Sequence, residues 1–484
     1  MNAREDEETQ QNETTPFLSN ASPLQRTRQR PAVMPQVRRL QDNLPDILEL
    51  DGQPEQTAFS LLVYLHLYQS CRASVERAGS HPDIWPSIRD AASKGKLAEQ
   101  RSLDVWAHYL DTYPSLPEIQ SVLWSRFRLE PNSPAFSRIV DCLQANHAPP
   151  ALITHPVVQT VMMSTWKYGL HDGGDESHHL LRRFDSLTTP RALHLLHLLI
   201  QLAFVGVLAH YLLFPPVVFI NLGPNEQASR ESFLTMMAAA SMLVPWTVCS
   251  LAYMAVFLAF LLTLPSVPLP GSLAFTSLHI ALILHVLSLH LPDTPGLALF
   301  LQPRTTLPLT VLVVQSTLRI TLPATLFFLP VFLFSSFLVS ASLADSPFSV
   351  FGTSAVVPAP MDTRLWFFIF FVLVTIALLL SVAVSYSVAY TFSLVSTEPW
   401  DRYSQPVGLL ARKIFYRAVV RHTCHTFFPP FNLLRLFVII PSFCLSRLGY
   451  PPIPGAKAVE TTMWRLSIGL LGAIAAGFWL WGLI

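Results

Sequence analysis

The side chains of this 484-residue chain that could carry chemistry are histidines, carboxylates and small hydroxyls. The densest group is His171-Asp-Gly-Gly-Asp175-Glu176-Ser-His178-His179, where imidazole nitrogens and carboxylate oxygens would suit a divalent metal. Its glycines argue for a flexible solvated loop instead, and no bound metal or cofactor is expected. A second group, His194, His197, His210, His279, His285 and His290, stands in apolar sequence and raises a proton relay or metal transport. His279 and His285 lie six residues apart, ~240° around a helix, so they do not share a face. Two carboxylates, Asp345 and Asp362, stand in the stretch Ala344–Thr363, which has no basic residue. Beyond it, the apolar run Leu365–Leu394 offers Thr375, Ser381, Ser385, Tyr386, Ser387 and Tyr390 among its polar groups. No Ser–His–Asp constellation can be assigned, the apolar runs lack acidic pairs, and His290-Leu-Pro-Asp293 alone makes no site, so an enzyme is not expected. Five cysteines without CxxC spacing imply neither a zinc site nor a disulfide framework.

The elements that must position these groups divide the chain in two. Only 13% of residues are charged, about half the usual share for a soluble domain, and the depletion begins near residue 190. Before that point the chain reads as a disordered tail (1–43), a helical domain (44–168) and a linker (169–190). The tail is acidic at Glu5–Glu8, then basic, and Glu13-Thr-Thr-Pro-Phe17-Leu18 loosely echoes an acidic sorting signal. It has too few apolar residues to offset its ordering entropy. Its first twenty residues lack the apolar core of a signal peptide, so membrane insertion is expected to begin internally. In the domain, Ala58–Tyr68 carries apolar residues at helical spacing, and further helices are expected at Leu97–Tyr113, Leu116–Arg128, Phe136–Ala145 and Pro156–Tyr168. Trp106, Trp124 and Trp166 are expected to anchor their packing.

Crossing a bilayer takes ~20 apolar residues. Runs of that order occur at Leu193–Phe214, Phe233–Leu264, Leu273–Leu291, Leu307–Leu343 and Leu365–Leu394. The fourth is too long for one span and contains Arg319, Pro323 and Pro330, so it is expected to split near Thr321–Pro323. This gives six core transmembrane helices over residues 191–397. Residues 398–465 carry nine Lys or Arg against three acids, and Arg182, Arg183 and Arg191 precede the first run, so both flanks are expected in the cytosol. An even number of spans follows. Residues 398–462 form a basic cytosolic segment in which Phe431–Leu445 either spans or lies at the interface. Residues 463–484 read as a terminal hydrophobic helix. The expected fold class is all-α: a polytopic membrane protein preceded by a soluble helical domain, with membrane lipid as a partner. A net charge of +1 without a basic stripe argues against nucleic acid.

Tyr403-Ser404, Ala411-Arg412-Lys413 and Phe428-Pro-Pro-Phe431-Asn432-Leu-Leu-Arg-Leu-Phe-Val-Ile-Ile-Pro441 resemble the C-terminal membrane domain of fungal vacuolar TRP-like calcium channels. The resemblance covers residues 190–484. It implies a tetrameric cation channel of a vacuolar or other endomembrane, with cations as permeant ligands and the N-terminus cytosolic. In it Leu365–Leu394 lines the pore and Ala344–Thr363 is the pore loop, with Phe348, Phe351, Gly352 and Thr353 as filter candidates. A glycine there lets carbonyls approach an ion, and rings of Asp345 or Asp362 would attract cations. Thr375, Ser381, Ser385 and Tyr386 would face the pathway, although serines in such helices also make interhelical contacts. A non-conducting anchor of the same fold and a secondary transporter are the alternatives. An extended 344–363 loop would favour the anchor.

Overall fold

The protein's computed structural model describes residues 31–42, 53–78, 85–131, 133, 135–170, 184–185, 188–215, 228–243, 250–264, 266–289, 291–292, 296–300, 302–342, 361–391, 398–423, 426–447 and 455–482. The fold class is all-α. Among the described residues the only strands are β1 (Phe127–Arg128) and β2 (Phe136–Ser137), a two-residue antiparallel pair with Phe127 opposite Ser137.

Seven helices build the N-terminal part: α1 (Val33–Asp42), α2 (Pro54–Ala78), α3 (Trp85–Leu110), α4 (Leu116–Trp124), α5 (Ile139–Leu143), α6 (Pro150–Ile153) and α7 (Pro156–Tyr168). Local chemistry sets several ends. The backbone N–H of Ser115 donates to the Glu118 carboxylate at 2.8 Å, closing the first turn of α4. α7 begins where the N–H of Val157 donates to His155 Nδ1 (3.3 Å) and stops at Gly169, whose φ of 81° favours glycine. The stretch expected to be helical through Arg128 instead leaves α4 at Trp124 and turns into the β pair, and Phe136–Ala145 begins as strand rather than helix. The disorder expected to residue 43 does not extend over α1. Val33, Val37 and Leu40 fall on one helical face and are buried against α2.

α8 (Pro190–Leu213) is the one helix among the described residues that is long and apolar enough to cross a membrane. Phe233–Leu264, expected as one span, is two helices, α9 (Ala228–Met242) and α10 (Ser250–Leu261). The sequence places Pro245 between them, and proline disfavours helical geometry in the residue before it. With 15 and 12 residues they are roughly 22 and 18 Å long at ~1.5 Å per residue. α11 (Leu273–Leu289) completes a bundle whose order is fixed by its hydrogen bonds. Tyr211, late in α8, donates to Pro268 O (3.1 Å), and Arg230, early in α9, donates to Phe214 O (3.1 Å). At the opposite end Tyr253, early in α10, donates to Gln201 Oε1. The four helices therefore alternate in direction around a core that includes Phe204, Leu208, Met237, Val256 and Leu278.

After α12 (Leu297–Phe300), the chain forms α13 (Pro303–Ser316), a π-turn (Thr317–Thr321) and α14 (Leu322–Ser342) without interruption. The expected split near Thr321–Pro323 is therefore a register change. Pro323 has no N–H to give and its ring would crowd the carbonyl of Arg319 four residues back. The π-turn absorbs this: the N–H of Leu322 donates to Thr317 O, five residues back. Arg319 sits exposed on that turn. α15 (Met361–Thr391) packs along α14, with Phe332 and Phe371 ring centroids 5.3 Å apart. Beyond a 3₁₀ turn at Pro399–Asp401 come α16 (Gln405–Thr423), α17 (Asn432–Arg447), α18 (Ala456–Trp464), a second π-turn (Arg465–Gly469) and α19 (Leu470–Gly482). α18 to α19 run continuously, so the terminal helix starts before residue 463. α19 lies against α8 so closely that a Cβ at Gly472 would stand 2.9 Å from Leu193 Cδ2.

Candidate functional site

α16 is where the parts of the chain meet. Within the basic segment, Ala411, Phe415, Tyr416 and Val419 are fully or almost fully buried. They belong to one core with α2 to α7 and with Leu299, Leu307 and Val311 of α12 and α13. Apolar residues at 407, 411, 414, 415, 418 and 419 form the stripe that seats the helix, leaving Arg417 and Arg421 exposed on the other face. Tyr416 donates to Ile153 O at 2.8 Å and Lys413 to Asn146 O at 2.6 Å, tying α16 to the turns around α6. Burial pushes the Tyr416 hydroxyl pKa up, so it stays a neutral donor. Tyr416→Phe leaves the buried Ile153 carbonyl without its partner and is expected to cost about 1–2 kcal/mol. A lower urea midpoint in detergent would register that loss; an unchanged midpoint would mean water replaces the hydroxyl.

The segment that follows α15 is locked to α16 by one guanidinium. Arg412 is 0% exposed, donates to both Asp401 oxygens (2.7 and 2.8 Å) and to Glu398 (2.9 Å), and lies over the Trp400 ring at 5.8 Å. A charge this deep is tolerated because two carboxylates and an aromatic face replace its water. Gly408 makes the approach possible, since a Cβ there would fall 2.7 Å from Trp400 O and collide with the Asp401 carboxylate.

Next to this lock, three imidazoles from two helices come together under Trp166 of α7. His194 and His422 ring centroids are 5.3 Å apart, and His197 and His422 are 6.0 Å apart. Trp166 touches His194 (5.6 Å), His422 (6.2 Å) and Phe415 (5.8 Å), while Phe428 stacks on His197 at 4.6 Å. The hydrogen bonds define the tautomers. His194 Nε2 faces Gly296 O (3.2 Å) and His422 Nδ1 faces Ala418 O (2.8 Å), and a carbonyl only accepts, so these nitrogens carry the protons. His194 Nδ1 and His422 Nε2 are then bare lone pairs, buried and without a partner. Tyr253 donates to Gln201 Oε1, which turns the Gln201 amide NH₂ toward His197 Nε2 (3.3 Å) and leaves His197 Nδ1–H without an acceptor. Burial, with His194 and Arg421 adding to it, holds the His422 pKa well below the usual imidazole value. His285, on α11, is also buried, against Tyr253 (4.9 Å) and Phe204 (5.1 Å).

The residues expected to form a pathway are less fully placed. Asp345, Phe348, Phe351, Gly352 and Thr353 lie outside the described residues, as does the histidine-rich loop 171–179. Asp362 falls in the first turn of α15, and Ser381, Ser385 and Tyr386 fall further along it. The Thr375 hydroxyl donates to Phe371 O of its own helix at 2.9 Å. Among the described residues no group of three or more His, Cys, Asp or Glu is placed to hold a metal ion. No protein-family model matches this chain, and no curated protein is significantly similar to it in sequence.

Proposed function

We propose that the protein is a polytopic channel for cations, Ca²⁺ among them, in a vacuolar or other intracellular membrane. In this reading it assembles as a homotetramer with α15 lining the pathway, in the manner of the TRP-like channels it resembles. The observation that carries this reading is the α14–α15 hairpin. Large aliphatic and aromatic residues are exposed along it, including Leu326, Leu333, Phe334, Phe368, Leu373 and Leu379, with Leu333 at 56% and Leu373 at 59%. An apolar surface of that extent is not left in water; lipid and neighbouring copies of the hairpin cover it. α8, α10 and α11 expose further aliphatic residues, which this reading also places against lipid. Charge placement supports the orientation. Lys167, Arg191 and Arg304 line a cavity of about 480 Å³ where α7 meets the starts of α8 and α13, and no acidic residue lines it. Cations at that level favour a cytosolic face.

In this account Asp345 and Asp362 stand at the pathway's far mouth, where carboxylates concentrate divalent cations. Asp345→Asn and Asp362→Asn are expected to lower Ca²⁺ conductance several-fold relative to K⁺ in single-channel recordings. Unaltered conductance in both would remove these residues from the pathway. A second reading, a non-conducting anchor of the same fold, is favoured by Thr375, whose hydroxyl is used within its own helix. A transporter with an unwound midplane helix finds less support, because the helix from α13 through α14 is unbroken.

A further inference from the structure

We propose that His194, His197 and His422 form a proton-operated latch, neutral when closed, whose protonation releases α16 from α8. The cluster sits at the only place where α7, α8 and α16 share aromatic contacts among the described residues, through Trp166. Its two bare lone pairs, His194 Nδ1 and His422 Nε2, can each take a proton but have nothing to give it to. An imidazolium there is a buried cation without an acceptor, which the packing does not tolerate. The nearest charge makes matters worse: Arg421 of α16 repels a proton on His422. The other charges next to the cluster's residues in sequence are also cations, Arg191 one turn before His194 on α8 and Lys167 after Trp166 on α7. The carboxylate just ahead of α8, Asp185, is engaged by Arg465 at 2.6 Å. Phe428, stacked on His197, and the Gly296 carbonyl bring no negative charge. A proton is therefore accepted only when the latch opens and water reaches the rings.

The sign follows from linkage. His422 binds protons less tightly in the closed form than in the open one, so closure is fully stable above the ordinary imidazole value, ~6.5, and weakens as pH falls below it. Each group that takes a proton on opening raises the open population roughly tenfold per pH unit in that range. The latch is a property of packing and does not depend on whether the chain conducts.

Hydrogen exchange of the full-length protein in detergent, at pH 7.5 and pH 5.5 and corrected for intrinsic exchange rates, tests it. The expected result is at least a roughly tenfold loss of protection in peptides of α16 and the first turns of α8 at pH 5.5, with α2 and α3 unchanged. His422→Gln, uncharged at both pH values and able to keep the bond to Ala418 O, is expected to blunt the loss, and His194→Gln likewise. Equal protection of wild-type α16 at the two pH values would overturn the proposal whether or not the variants fold. So would a loss of protection spread evenly over α2, α3 and α16, or one that both variants reproduce in full.

Discussion

Trp166→Ala is expected to destabilise the protein by about 3–5 kcal/mol, the range for removing a large buried aromatic. The indole is 2% exposed and joins three elements, reaching Phe415 and His422 on α16 and His194 on α8. Its loss opens a cavity that none of them can fill alone, because each is held by its own backbone hydrogen bonds. Thermal unfolding in detergent should show a lower midpoint, with proteolysis appearing first around α16. Trp124→Ala is the control. That ring is partly exposed, and its partner in the fold is the Arg138 guanidinium at 5.3 Å, so a smaller shift is expected. Equal shifts for the two would mean that Trp166 is not the joint described here.

Arg412→Met is the second large effect, about 2–3 kcal/mol, below the range for breaking a fully buried pair. The discount reflects the partners: Asp401 is 19% exposed and Glu398 56% exposed, so both regain water when the guanidinium is gone. What the substitution removes is the attachment of α15's exit to α16. Gly408→Ala acts on the same lock from the other side, by driving Asp401 and the Trp400 carbonyl off the helix. The two should therefore be strongly non-additive, with Gly408→Ala adding little once Arg412 is Met. Full additivity in unfolding midpoints would show that the lock is not one unit.

Much of the helical content was legible. α7 occupies Pro156–Tyr168 as its spacing and proline predict, and α8 falls within three residues of its apolar run at either end. Long apolar stretches were less informative about breaks. Hydropathy averages over Pro245 in Phe233–Leu264 and so hides the division of that run into α9 and α10. It overrates Pro323, because the sequence does not show that a π-turn will take up the clash. In α16, counting charges addressed only the side of the membrane and left the helix's buried face unread. The apolar stripe from Val407 to Val419 was readable, and Arg412 had its acids within fourteen residues, but only packing shows that the three meet. His194 and His197 could be seen as neighbours one turn apart. His422, far along the chain, joins them by tertiary structure, which no local pattern encodes.

The central claim is tested most directly by reconstituting the purified full-length protein into planar bilayers and recording in symmetric K⁺ and under a Ca²⁺ gradient. The account predicts discrete cation-selective openings, with divalent conductance reduced in Asp362→Asn. Silence across voltage, Ca²⁺ and pH, from protein shown to be folded by its unfolding transition, would contradict it and leave the α14–α15 hairpin as an anchor.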